Sequence, residues 1–278
     1  MNKLSIEKRS QIIGCLVEGM SIRATVRLTG ASKNTITKLL IDVGRACQEY
    51  QDKAFRNLSC KRLQCDEIWS FCYAKEKNVP KELKGVFGYG DVWTWTAICA
   101  DTKIVPAWLV ANRSAAAGII FMEDLAGRLK NRVQLTTDGH KVYIEAVENA
   151  FGPDIDYAML IKLFGGEDQA TPERKYSPAQ CSGTKMVKIN GNPDAAHVST
   201  SFAERQNLTM RMSMRRFTRL TNAFSKKIEN LTWAVALHFM YYNFCRVHQS
   251  LRVTPAMEAR IADHVWTIQE IIDITDNK

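Results

Sequence analysis

Acidic residues are missing from one long stretch of this sequence. Between Arg205 and Lys227 there are seven Lys or Arg and no Asp or Glu. A helix that merely faces water usually interleaves both signs, so an unbroken basic run points to a polyanionic partner. Cysteine pairs at metal spacing are also absent: the chain has eight cysteines but no Cys-x-x-Cys. Cys60, Cys65 and Cys72 lie near one another with no neighbouring His, which makes a poor zinc site. Scattered cysteines within apolar patterns fit reduced core thiols of a cytoplasmic protein. No apolar run can span a bilayer, since the longest, Leu231 to Cys245, is short and interrupted by His238 and Asn243. Met1-Asn2-Lys3-Leu4 leads into a charged amphipathic pattern, so no secretory leader is expected. Internal repeats and low-complexity tracts are lacking too.

What is present describes an ordinary globular chain of 278 residues, 24% charged and 46% hydrophobic, with a net charge of +9. Residues from Ser5 to about Phe55 read as helix. Ser5, Ser21 and Ser32 are placed as N-caps of three helices, and Gly19 and the Thr29-Gly30-Ala31 turn separate them. A short helix, a Gly-containing turn and a helix opening Lys33-Asn34-Thr35-Ile36-Thr37-Lys38 match a helix-turn-helix. In that arrangement Lys33, Asn34, Thr35, Thr37 and Lys38 face a DNA groove. A three-helix bundle used for protein contacts is the other arrangement these helices fit.

Beyond Lys61 the apolar period becomes that of strands. Strands are predicted over Arg62–Tyr73, Tyr89–Ala100 and Ile104–Val110, followed by a helix over Ala115–Asn131. A strand over Val133–Thr137, a helix over Lys141–Ala150 and a strand over Tyr157–Leu163 come next. This order is mixed α/β, that of the RNase H-like fold rather than a Rossmann repeat. Glu167–Ser199, with three prolines and two glycines, reads as a loop or β-rich insertion. Long helices are predicted over Phe202–Leu220 and Ile228–Cys245, then a Thr254-Pro255 break and one more helix.

Three acids sit oddly in these elements. Asp66 interrupts the apolar run Cys65-Asp66-Glu67-Ile68-Trp69-Ser70-Phe71, Asp138 ends the strand before Gly139-His140, and Glu204 opens the basic helix. Carboxylates at buried strand ends are costly unless paired or holding a cation. In phosphoryl transfer on nucleic acid two divalent ions, held by a few hard carboxylate oxygens, can activate the attacking oxygen and stabilise the leaving one. Asp66 and Asp138 become neighbours if their strands pair, and no His or Cys accompanies them, so Mg²⁺ or Mn²⁺ fits best. Glu67 competes for the role, but strand alternation turns it to the opposite face. Arg211 lies two helical turns after Glu204 on the same face, and Arg211, Arg215 and Arg219 recur every fourth residue as a stripe that could track phosphates.

Glu204-Arg205-Gln206-Asn207-Leu208-Thr209-Met210-Arg211, with Arg215-Arg216 and Arg219, resembles the Glu-Arg-x-Asn-Leu-Thr-x-Arg segment of transposases of the insertion-sequence-one type. Asp66-Glu67-Ile68-Trp69-Ser70-Phe71 resembles the first catalytic motif of the same family. The resemblance covers roughly Asp66 to Thr221. It implies a DDE transposase, with Asp66, Asp138 and Glu204 as catalytic metal ligands for two Mg²⁺ or Mn²⁺ ions. Arg211 would contact the transposon-end phosphate, and Arg205, Arg215 and Arg219 would bind DNA. The chain departs from the family in three places: His140 stands where related elements often carry Trp, the last acid follows an insertion, and no Cys pairs precede Cys47. Tyr143, five residues after Asp138, does fit.

The expected organisation is a helix-turn-helix domain over 1–58, an RNase H-like catalytic domain over 59–245 with an insertion at about 165–200, and a helical tail over 246–278. The partners implied are double-stranded DNA, both element ends and target, and a second copy of the chain, since two ends must be brought together. The place implied is the bacterial cytoplasm, at the nucleoid. A non-catalytic DNA-binding regulator and an RNase H-like nuclease that cuts without joining are the alternatives.

Overall fold

Three serines start the first three helices as capping chemistry demands. In the computed structural model, which describes residues 4–164, 181–218 and 221–276, the helices are α1 (Ile6–Val17), α2 (Ile22–Thr29) and α3 (Lys33–Ala54). The hydroxyls of Ser5, Ser21 and Ser32 accept from the amides of Lys8, Ala24 and Thr35. Gly30 closes α2 in the left-handed conformation, φ +69°, which any Cβ would strain. α3 does not stop with the small helical unit: it runs on to pack along α7 (Ile228–Met240) and α9 (Ile268–Asp276).

The sheet has six strands in the order β3-β2-β1-β4-β5-β6. β1 (Arg62–Cys72), β2 (Gly90–Cys99) and β3 (Ala107–Ala111) form an antiparallel meander. α4 (Ala115–Ala126) crosses back so that β4 (Val133–Thr137) lies parallel to β1, and α5 (Val142–Phe151) does the same for β5 (Ile155–Phe164) beside β4. β6 (Cys181–Asn190) pairs antiparallel with β5, so the expected insertion contains a strand, followed by a short 3₁₀ turn at Ala195–His197; residues 165–180 of it lie outside the described residues. The protein is mixed α/β, with a mixed sheet between two helical layers.

Alternation along β1 assigns the layers. Leu63, Cys65 and Glu67 look to the face covered by α4 and α5, where Trp95 packs on Phe121 and Tyr143. Gln64 and Asp66 look to the other face, on which α6 (Ser201–Ser213) lies. After α7 the chain makes a π-turn, Tyr241–Cys245. Fully buried Asn243 there both accepts from Val105 N (3.0 Å) and donates to Val105 O (3.1 Å). That segment therefore ties the C-terminal helices to the β2–β3 connection. α8 (Pro255–Glu258) and α9 complete the chain. Among the described residues no helix is long and apolar enough to cross a membrane.

Two helices are shorter than their pattern predicts. The first, α4, stops at Ala126 rather than Asn131. The second correction matters more: the helix expected over Phe202–Leu220 ends at Ser213, where Met214 turns extended (φ −120°, ψ 110°). Met214 and Phe217 are both buried, four and seven residues after buried Met210, on the face a continued helix would also bury. The run of like charges that follows, with no acid to interleave it, makes a poor helix. Arg211 stays on α6 while Arg215 stands in a separate short turn, so the two do not share one helical stripe. Arg219 lies outside the described residues.

Candidate metal centre

The pairing of two parallel strands places the first two acids side by side. Cys65 is opposite Thr137 across β1 and β4, so the next residue of each chain, Asp66 and Asp138, emerges at the same level. Ligand atoms of Asp66, Asp138 and Glu67 all lie within 4.8 Å of one another. Strand alternation does turn the Glu67 backbone toward α5, as expected. Its longer side chain nevertheless reaches the edge of the cluster, so the expectation that alternation removes Glu67 is corrected by side-chain reach. The Glu67 side chain is only 1% exposed, meets Arg113 at 3.0 Å and lies against the Tyr143 hydroxyl. Arg113 also stands 4.0 Å from Asp138.

Burial and the crowding of acids together set the protonation of Asp66 and Glu67. Burial, then the charges of Asp138 and Glu67, push the Asp66 carboxyl up to about 7, against the Glu67 amide that donates to it at 2.8 Å. Burial likewise raises Glu67, partly opposed by the neighbouring Tyr143 hydroxyl and Arg113. Asp138 Oδ1 accepts from the amide of His140 at 3.0 Å, which fixes the turn after β4. His140 stacks near Trp95 and Tyr143. Tyr143, singled out by its spacing from Asp138, is fully buried against the centre.

Glu204 approaches from the other face and is not part of the converged trio. Its Oε2 is 2.6 Å from Lys162 Nζ on β5, and Thr200 donates to Oε1 at 2.5 Å. Burial would raise this carboxyl, but the bonds from Lys162 and Thr200 outweigh it and hold it below the usual range. The helix that carries Glu204 is nonetheless docked on Asp66: Asn207, one turn on, donates Nδ2 to Asp66 Oδ2 at 2.8 Å.

Gln64 explains the docking. α6 has no side-chain cap of its own, and two of its free first-turn amides are met from β1 instead. Buried Gln64 accepts from Phe202 N (2.8 Å) and Ala203 N (3.2 Å), and Lys103 sits 3.7 Å over the Phe202 ring. One strand thus supplies Asp66 and, two residues earlier, the cap that aims α6 at it. Gln64→Leu removes the acceptor and leaves two buried donors unmet, at about 2 kcal/mol. Amide exchange at Phe202 and Ala203 is expected to accelerate while that of β4 does not; unchanged exchange at both would count against this capping.

The remaining predicted residues are distributed along the surface. Lys33, Asn34 and Lys38 are exposed on the first turns of α3, with Thr35 and Thr37 partly so. Lys38 pairs with Asp42 at 2.8 Å, Thr35 shares a hydrogen bond with Ser32, and Thr37 donates to Lys33 O. Arg205 and Arg215 are exposed and Arg211 partly buried. Sequence reasoning missed Gln64, Asn207, Arg113 and Lys162 as parts of the site. A signal existed for Asn207, at i+3 from Glu204, and for Gln64, at i−2 from Asp66. None existed for Lys162 or Arg113.

The donor set suits a divalent cation: hard oxygens only, and more carboxylate than the two flanking cations neutralise. No protein-family model and no curated protein matches the chain. Among solved structures it is similar to a piggyBac transposase synaptic complex with hairpin DNA, at 11% sequence identity and a TM-score of 0.41 over 99% of this chain and 71% of that one. So distant a similarity defines no family, and the reading of this mixed α/β protein rests on its own residues.

Proposed function

We propose that the chain is a DDE-type DNA transposase of the insertion-sequence kind, built on an RNase H-like sheet. The observation that carries the proposal is the pair Asp66 and Asp138, on adjacent parallel strands at the centre of the sheet and within ligand distance of each other, with the Glu204 helix bonded to the first of them. The strand order through β5 supports the fold reading. The motifs around Asp66 and Glu204 support the family reading.

In this function Asp66, Asp138 and Glu204 hold two Mg²⁺ or Mn²⁺ ions. Bound there, such ions activate an attacking oxygen and stabilise the leaving one. The protein's own groups do the rest. Asp66 is fixed from both sides, by the Glu67 amide and by Asn207. Lys162 and Arg113 offset part of the acids' charge in the metal-free protein. Arg205, Arg211 and Arg215 present cations beside the centre for the DNA backbone, and Arg219 belongs to the same proposed set. Lys33, Asn34, Thr35, Thr37 and Lys38 meet the element ends as a helix-turn-helix, and a dimer brings two ends together. Hydrolysis frees a 3′-hydroxyl at each end, which then attacks target DNA, without a covalent bond to protein.

The test uses purified protein, labelled duplex bearing the element's terminal sequence, target plasmid and Mg²⁺. Strand-transfer product is expected with the wild type. Glu204→Gln is expected to lower it about 10³-fold, the several kcal/mol of a misplaced catalytic ion. Undiminished product in Glu204→Gln removes Glu204 from the site; cleavage without joining favours the nuclease reading.

A further inference from the structure

Asn207 has one end of its carboxamide satisfied and the other not. It stands one turn after Glu204 on the same face of α6. Its Nδ2 donates to Asp66 Oδ2 at 2.8 Å, while its Oδ1 is buried and accepts from no group. Buried carbonyl oxygens in native proteins almost always have a partner, so this one calls for an explanation. The side chain it bonds is a carboxylate, and the next functional group along its helix face is another, Glu204. An unmet oxygen on a carboxamide already bonded to one acid and one turn from another suits a cation, and an amide oxygen is a hard ligand of the kind Mg²⁺ and Mn²⁺ take. On the strand side of Asp66, Glu67 is only 1% exposed and lies within the converged trio, against Arg113 and the Tyr143 hydroxyl.

We propose that Asn207 is a metal ligand: its amide oxygen binds a divalent cation shared with Asp66 and Glu204, while its amide nitrogen keeps the Asp66 carboxylate turned toward that ion. The inference rests on the reading of Asp66 and Asp138 as a metal centre and adds a neutral ligand to it. It also gives α6 a reason to present Glu204 and Asn207 at i and i+3, since one ion then draws on both. For Glu204 to join, its bond to Lys162 exchanges for the cation.

Binding of Mn²⁺ to the full chain, followed by loss of the free-ion electron paramagnetic resonance signal, tests this without any activity assay. Asn207→Ala is expected to weaken Mn²⁺ about tenfold. Asn207→Asp keeps an oxygen and adds charge, so its affinity is expected to equal or exceed that of the wild type. Were Asn207 only an N–H donor to Asp66, Asn207→Asp would set two carboxylates together and weaken binding at least as much as Asn207→Ala. That result overturns the proposal, as does unchanged affinity in Asn207→Ala. Circular dichroism melts of both variants establish that they are folded. If the wild type takes up no Mn²⁺, the metal centre itself is lost. If Asp66→Ala weakens Mn²⁺ and neither Asn207 variant does, the centre stands and Asn207 alone leaves it.

Discussion

Asp66→Asn is expected to abolish Mg²⁺-dependent strand cleavage while making the metal-free protein more stable above pH 7. The two effects share one cause. In the fold the Asp66 carboxyl is raised to about 7 by burial and by Asp138 and Glu67, whereas in the unfolded chain it titrates near 4. Below about pH 4 both states carry the proton and the shift has no effect on stability. Between about pH 4 and 7 the folded state holds a proton that the unfolded state has lost, so stability falls as pH rises. Above 7 the full penalty is present, on the order of 2 kcal/mol once relaxation is allowed for. Asparagine removes it, and Asn207 can turn its unpartnered oxygen toward the new amide. Thermal melts in chelator at pH 5 and pH 8 should therefore show a smaller loss of Tm for Asp66→Asn than for the wild type, with the variant roughly 4–8 °C higher at pH 8. Mn²⁺ at pH 8 should raise the wild type and leave the variant where it is. Equal pH slopes in the two proteins would show that Asp66 is not held against its ionisation.

A larger loss of stability is expected from a single methyl group far from the acids. Gly44 lies in α3 where it crosses α7, and a Cβ there would stand 2.5 Å from the carbonyl oxygen of Trp233 and 2.6 Å from its Cβ. In an isolated helix Gly→Ala gains about 1 kcal/mol. Here the contact is with backbone, which cannot rotate away, so α3 and α7 must separate along a buried seam that includes Val43 and Cys47. Overpacking of this kind costs about 1–3 kcal/mol and more when backbone is involved. We expect Gly44→Ala to lose about 3 kcal/mol net, a Tm roughly 6–12 °C lower. Gly14→Ala in α1 is the matched control. Its Cβ would meet only the Cδ1 of Ile268 at an ordinary 3.4 Å, and helix propensity should leave it neutral or more stable. Similar melts for the two variants would refute the close α3–α7 contact.

This contact bears on how the chain is organised. α3 begins with Lys33, Asn34 and Lys38 on the surface and ends, through Tyr50 and Phe55, against Phe244 and Trp266. In the proposed function the helix that meets the element ends is thus continuous with the core that supports the acid centre.

Much of this was legible in the sequence because it is local. The caps at Ser5, Ser21 and Ser32, the strand Val133–Thr137 and the α/β alternation follow from hydroxyls within reach of neighbouring amides and from apolar periods of 2 and 3.6. The adjacency of Asp66, inside one apolar strand run, and Asp138, at the end of another, was legible only on the condition that those strands pair, which they do. What the tertiary structure alone decided spans distance in the chain. Side-chain reach, not alternation, brought Glu67 to the acids. α6 ended at Ser213, which divided the arginine stripe. Gln64, 138 positions before Phe202, capped a helix whose own sequence offers no cap, and Lys162 on β5 took the Glu204 carboxylate. Periodicity and capping are contests between near neighbours and can be judged residue by residue. These others are contests between burial and charge at places that exist only once the sheet has closed.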